Sequence, residues 1–167
     1  MANWFVSTPL AGVQPIEDTG TTQNHTLGTI VRAYSRTYGE GEFIYLKGVA
    51  STVVGSIVHY NGTTFQTALG YAGENVPSPL AIAMSANVAS QYGWYQIGGI
   101  AVAAKSSAVS FAAKAKVAIG SSSGLAVASL SGQEILGAFV SAVASAASGR
   151  TTVALLVNRP HQQGRVT

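Results

Sequence analysis

An all-β fold, a small antiparallel barrel or sandwich with an extended N-terminal arm, is what this sequence predicts. Three observations lead there. From Gly28 onward, short runs rich in Ile, Val, Tyr and Phe alternate with Gly, Ser and Asn punctuation, the signature of strands separated by turns. In AKAKVAI, Lys114, Lys116 and Ala118 fall on one face while Ala115, Val117 and Ile119 fall on the other, the period of two of a half-buried strand. The best helix candidates, the Ala-rich tracts 101–104 and 138–147, are diluted by Ser, Gly and Val and lack Glu/Lys pairs four residues apart, so they too are expected to be strand.

Residues 1–27 differ from the rest of the chain. They hold Pro9, Pro15, Glu17, Asp18 and the polar run TGTTQNHT without sustained periodicity. They also hold Trp4, Phe5, Val6, Leu10, Val13 and Ile16, which a disordered linker would lack. The segment is expected to be an arm that docks on something: a neighbouring molecule, or its own domain, as termini commonly do. Residues 28–167 form the β domain. GTIVRAY and EFIYLKGVA are strands around the turn-like YGEGE, and GSIVHY and TTFQTAL flank Asn61-Gly62, a pair suited to a two-residue type I′ hairpin turn. GYAGENVPSP reads as a loop, because Pro77 and Pro79 disfavour regular pairing. AIAMSANV, YGWYQIGGIAVAAK, FAAKAKVAI, GLAVASL and ILGAFVSAVAS come next as strands, and TTVALLVN is apolar enough to be covered on both faces.

Composition narrows the function. The chain has 167 residues, 0 Cys and only 9% charged residues, against about 25% in an average soluble domain. Without cysteine there is no disulfide, thiolate nucleophile or cysteine metal site. The start, MANWFVSTPLAGV, lacks a basic region and a continuous apolar run, so neither a signal peptide nor a membrane anchor is expected and synthesis in a cytoplasm is. An ion-poor surface loses little on desolvation and suits being covered by neighbours. The net charge of +3 comes from few acids rather than clustered bases, which gives no footprint for direct nucleic-acid binding.

Chemistry is sparse. Gly120-Ser121-Ser122-Ser123-Gly124 satisfies the G-x-S-x-G pattern of a nucleophile elbow, but that elbow needs a strand turning into a helix. GLAVASL after it reads as another strand, so a hairpin turn is expected at Ser122. His25, His59 and His161 share no ligand spacing, and His59, between Val58 and Tyr60, is expected on a solvent-facing strand position. No metal site, cofactor or catalytic residue is predicted, and the chain is not expected to be an enzyme. Trp94 and Tyr95, as strand neighbours, point to opposite faces and cannot form one stacking platform. One is expected in the core with Ile97, the other on the outer face as an oligomer or surface contact. Gly98-Gly99 fits a bulge or a close backbone approach.

The ordered set GWYQIGGIAV, AKAKVAI and ILGAFVSAVASAASGRTTVALLVNRP resembles the capsid decoration (cement) proteins of tailed bacteriophages. In that family a G-W-x-Q-x-x-G-x-A-x-V strand is followed by an I-L-G-x-A-like strand, and a V-x-L-N-R-P strand closes the domain. The resemblance spans residues 28–161, and Phe139 stands where a smaller residue is expected. It implies a structural virion protein on the outer surface of an icosahedral head. Such a protein bridges and stabilises major capsid subunits as a homo-oligomer, a trimer being favoured, without membrane or nucleic-acid partners. On that reading Trp4, Phe5, Val6, Pro9, Leu10, Val13 and Ile16 are the capsid- or neighbour-binding residues of the arm. The alternative is a fibre-like or saccharide-binding β module using Trp94, Tyr34, Tyr38 or Tyr71 for stacking.

Overall fold

A computed structural model describes residues 4–9, 12–72, 77–121, 124–129, 133–141 and 151–164. Among them every regular element is a strand, and every ladder between strands is antiparallel. The strands are β1 (Trp4–Val6), β2 (Thr19–Gly20), β3 (Ile30–Ser35), β4 (Gly39–Lys47), β5 (Ile57–Tyr60) and β6 (Thr67–Leu69). They continue with β7 (Leu80–Ala83), β8 (Tyr92–Ala104), β9 (Lys116–Ile119), β10 (Ala126–Ala128), β11 (Glu134–Val140) and β12 (Thr152–Gln162). The fold is all-β, as expected. One open sheet runs in the order β1-β3-β4-β8-β12-β11-β9-β10, while β5, β6 and β7 form a side branch that rejoins it at β8.

β8 organises the molecule. Its first half pairs with β4, and its second half pairs with β12 from Gly98↔Asn158 to Ala104↔Thr152. Between the halves the register slips: Glu42 opposes Gly98 but Phe43 opposes Gln96, so one extra residue bulges out of β8. Gly99 has φ +89, and a Cβ there would lie 2.3 Å from the Glu40 carbonyl oxygen. Only glycine fits where two backbones approach that closely. The buried Gln96 amide secures the irregular stretch by donating to the carbonyls of Gly98 (2.9 Å) and Ile100 (3.1 Å).

Alternation on β4 and β8 distributes the core to both faces of the sheet. Ile44, Leu46, Tyr95 and Ile97 pack on one side with Val58, Ala81 and Ala83 of the side branch. Phe43, Tyr45 and Trp94 pack on the other with Val31, Ala33 and Ile16. A third cluster, Ala101, Ala103, Val153, Leu155 and Val157 with Val117, Ile119 and Val140, fills the space that β9 to β12 enclose.

Several expectations change. The hairpin at Asn61-Gly62 exists, but its ladder ends at Tyr60↔Thr67, so the loop has six residues. Asn61 Oδ1 accepts from both the Thr63 and Thr64 amides, and Phe65 rather than Gly62 has positive φ; the side chain builds a wider turn than type I′. β12 is covered on one face only: Val153, Leu155 and Val157 are buried while Leu156 is 40% exposed. In AKAKVAI, Lys114 lies before the strand with φ +62, and Ala118 is buried along with Val117 and Ile119. β9 lies between β10 and β11 in the sheet. His59 is buried, not solvent-facing; its Nδ1 lies within hydrogen-bonding distance of Ser78 Oγ and its ring meets Tyr71 edge-on. Residues 142–147 of the second Ala-rich tract lie outside the described residues.

Candidate functional site

The N-terminal segment belongs to the fold. Ile16 is fully buried, and Trp4, Val6 and Val13 pack against the same cluster as Phe43 and Trp94. β1 pairs with β3 from Trp4↔Ser35 to Val6↔Ala33. The Trp4 ring meets Phe43 edge-on at 4.9 Å and stacks on Tyr38 at 6.4 Å. Further along, Trp94 Nε1 donates to the Gln14 carbonyl at 3.0 Å, and the His25 ring lies 5.3 Å from Trp94 and 5.1 Å from Tyr45. Of the seven arm residues expected to reach a neighbour, Trp4, Val6, Val13 and Ile16 are therefore engaged within the chain. Phe5 and Pro9 remain exposed, and Leu10 lies outside the described residues. These side chains complete one of the cores.

Trp94 and Tyr95 do point to opposite faces, but both are fully buried and neither is a surface contact. Each lies under a layer that a local reading does not show: Trp94 under the N-terminal segment, Tyr95 under the side branch. Tyr95 Oη accepts from Asn87 Nδ2 at 2.9 Å. Burial pushes its pKa up to about 12, against the opposing hydrogen bonds of Thr67 and Asn87. Burial also raises Tyr45, partly countered by the Asn24 amide, with Tyr92 adding to the rise. Tyr60 is raised by burial as well, opposed by the charge of Arg159.

Among the described residues, two exposed surfaces stand out, on opposite sides of the sheet. The first is apolar. Leu156 is the register partner of Ile100 on β8 and of Phe139 on β11, and Ala154 is the partner of Val102, so these side chains share one face. Phe139 is 41% exposed. The stripe continues into a groove of about 380 Å³ lined by Trp4, Tyr38, Val54, Met84, Ile100 and Val102. Among the described residues, charge touches it at Glu17 in the groove and at Lys116, which opposes Phe139 and pairs with Glu134 at 2.9 Å.

The second surface is polar. Phe5 opposes Tyr34 in the ladder, and Tyr34 opposes Glu40; Phe5 is 56% and Tyr34 48% exposed. Glu40 borders a groove of about 400 Å³ with Arg32, Glu42, Asn158 and Arg159, floored by Gly41, Gly98 and Gly99. Glu42 joins the two arginines, accepting from Arg32 at 3.0 Å and from Arg159 at 3.3 Å. Trp4 and Phe5 are consecutive on β1, so the two grooves lie on opposite sides.

Comparison with protein-family models, with curated proteins and with solved structures gave no match. Among the described residues, no group of three or more His, Asp or Glu could hold a metal ion, and no helix is long and apolar enough to cross a membrane. His25 is engaged with aromatic rings, His59 is buried at Ser78, and His161 is exposed on β12. Ser122 lies outside the described residues. The polar groove, assembled from residues over a hundred positions apart, was missed by sequence reasoning. Its signals were the glycines of YGEGE and QIGGI, read only as turn and bulge.

Proposed function

We propose that this chain is a capsid decoration protein: a structural, non-catalytic component on the outside of an icosahedral phage head, bridging major capsid subunits and acting in several copies. The ordered motifs of residues 28–161 support the assignment to this class, and one structural observation carries it further. Among the described residues, the face bearing Ile100, Leu156 and Phe139 is apolar and exposed at Leu156 (40%) and Phe139 (41%), although the same side of the sheet is sealed by the N-terminal segment a few residues away. An exposed apolar stripe with few charges beside it has the chemistry of a protein interface core. Its occupant on this reading is the shell, which presents the same subunit surface many times. Weak single contacts then add through effective concentration when copies associate. The contact is thus assigned to the sheet face; Phe5 and Pro9 are the only described members of the expected arm set left exposed to a neighbour.

Co-sedimentation with undecorated phage heads tests it. Wild-type chain is expected to coat heads to saturation, and Leu156→Asp with Phe139→Asp to remain folded and stay in the supernatant. Equal coating by the double variant would remove this face from the account, and absence of coating by the wild-type chain would contradict the function.

A further inference from the structure

We propose that the polar groove on the opposite side of the sheet is a binding site for a neutral saccharide. Sugar recognition uses two kinds of surface together: an aromatic face for the apolar C–H side of a pyranose ring, and planar polar groups that exchange paired hydrogen bonds with its hydroxyls. Both are present and adjacent. Tyr34, 48% exposed, sits directly across the ladder from Glu40, which borders the groove, and Phe5 extends the aromatic shelf one strand further. The polar partners converge on one carboxylate. Glu42 bridges Arg32 and Arg159 at 3.0 and 3.3 Å, which gathers two guanidinium groups with free N–H donors at the edge of the groove.

The floor adds to the fit. Gly41, Gly98 and Gly99 line the groove where the backbones of β4 and β8 pack closely, with Gly99 against the Glu40 carbonyl, so its base is main chain rather than side chain. A volume of about 400 Å³ lies within the roughly 300–1,000 Å³ of small-ligand sites. Charge selects the class of sugar. Arg32 and Arg159 balance Glu40 and Glu42, so nothing attracts a net anion, and a neutral hexose-containing oligosaccharide is favoured over a sialylated or phosphorylated one. This inference does not depend on the capsid reading, since the two surfaces lie on opposite sides of the sheet.

Saturation-transfer NMR on the full chain, with maltotriose, cellotriose and chitotriose as neutral probes and sialyllactose and inorganic phosphate as anionic ones, tests the proposal. At least one neutral trisaccharide should bind at about millimolar affinity. Tyr34→Ala should weaken it at least tenfold and Tyr34→Phe less than threefold, because the ring rather than the hydroxyl makes the stack. Glu40→Gln should weaken it several-fold. All three variants should unfold at the wild-type temperature. Leu156→Asp, aimed at the apolar face, should bind sugar normally, which separates the failure of one reading from the failure of the other. No transfer to any neutral probe at about 10 mM overturns the proposal. So does binding confined to phosphate or sialyllactose that weakens with salt and ignores Tyr34→Ala.

Discussion

The two ends of β8 share a sheet, a strand and an apolar composition, yet they meet opposite fates. On one side of its first half, Trp94 is sealed by residues 13–25: the Gln14 carbonyl takes its indole N–H, His25 lies against its ring and Ile16 fills the space beside it. On the same side of its second half, Ile100 and Val102 border an open groove and lead to the bare side chains of Leu156 and Phe139. The N-terminal segment therefore acts as a partial third layer. Where it covers, the sheet is a core; where it stops, the same kind of surface stays exposed. Burying apolar area is worth about 25 cal/mol per Å² whichever molecule supplies the cover, so the uncovered half is the half with association free energy still to be gained.

Substitutions sharpen that contrast, and the largest effect belongs to the sealed end. Trp94→Ala should destabilise by about 3–5 kcal/mol in denaturant titration, because it leaves a cavity and an unpaired Gln14 carbonyl. Removing residues 1–16 should unfold the chain or collapse its stability, since it strips cover from Phe43, Tyr45 and Trp94. A truncated chain with wild-type stability would break the comparison at its root.

Next comes pH. The Tyr95 pKa is raised from 10.0 to about 12 by burial. The folded state therefore keeps a proton that the unfolded state releases between those values, and stability present below pH 10 is lost as pH rises toward 12. The slope should be about 1.4 kcal/mol per pH unit, and Tyr95→Phe should flatten it. At neutral pH that variant should cost about 1–3 kcal/mol, because the buried Asn87 amide loses its acceptor. An unchanged alkaline slope in Tyr95→Phe would show that another group governs it.

The smallest effect on stability belongs to the bare end. Leu156→Ser and Phe139→Ser should each shift stability by no more than about 0.5 kcal/mol while reducing binding of a hydrophobic dye. A loss of several kcal/mol would mean that the face is already covered within the chain.

How much of the molecule was legible depends on the range of each interaction. Strand alternation is local, so the sheet, the opposite facing of Trp94 and Tyr95, and the close backbone approach at Gly99 could be read from neighbours in sequence, while the extra residue of the bulge is Ile97 beside it. The cover over Trp94 could not, because the Gln14 bond that marks it spans 80 residues and leaves no periodic trace. The turn after Tyr60 misled for a chemical reason: the Asn61 side chain accepts two amides and widens the loop. His59 looked exposed because Ser78 and Tyr71, which surround it, arrive from segments beyond the hairpin. The polar groove depends on the Arg159–Glu42 pair, 117 residues apart, and no local pattern announces it. Leu156, expected beneath a second layer, is bare because strand composition alone does not say whether another layer exists to cover it.

Imaging heads coated with the wild-type chain, at a resolution that orients the sheet, is the most direct test. The prediction is that Leu156 and Phe139 face the shell while Tyr34 and Arg159 point to solvent, with residues 13–25 still seated on Trp94. A sheet bound with Tyr34 toward the shell, or an N-terminal segment peeled off Trp94 to lie on a neighbouring subunit, would contradict the account.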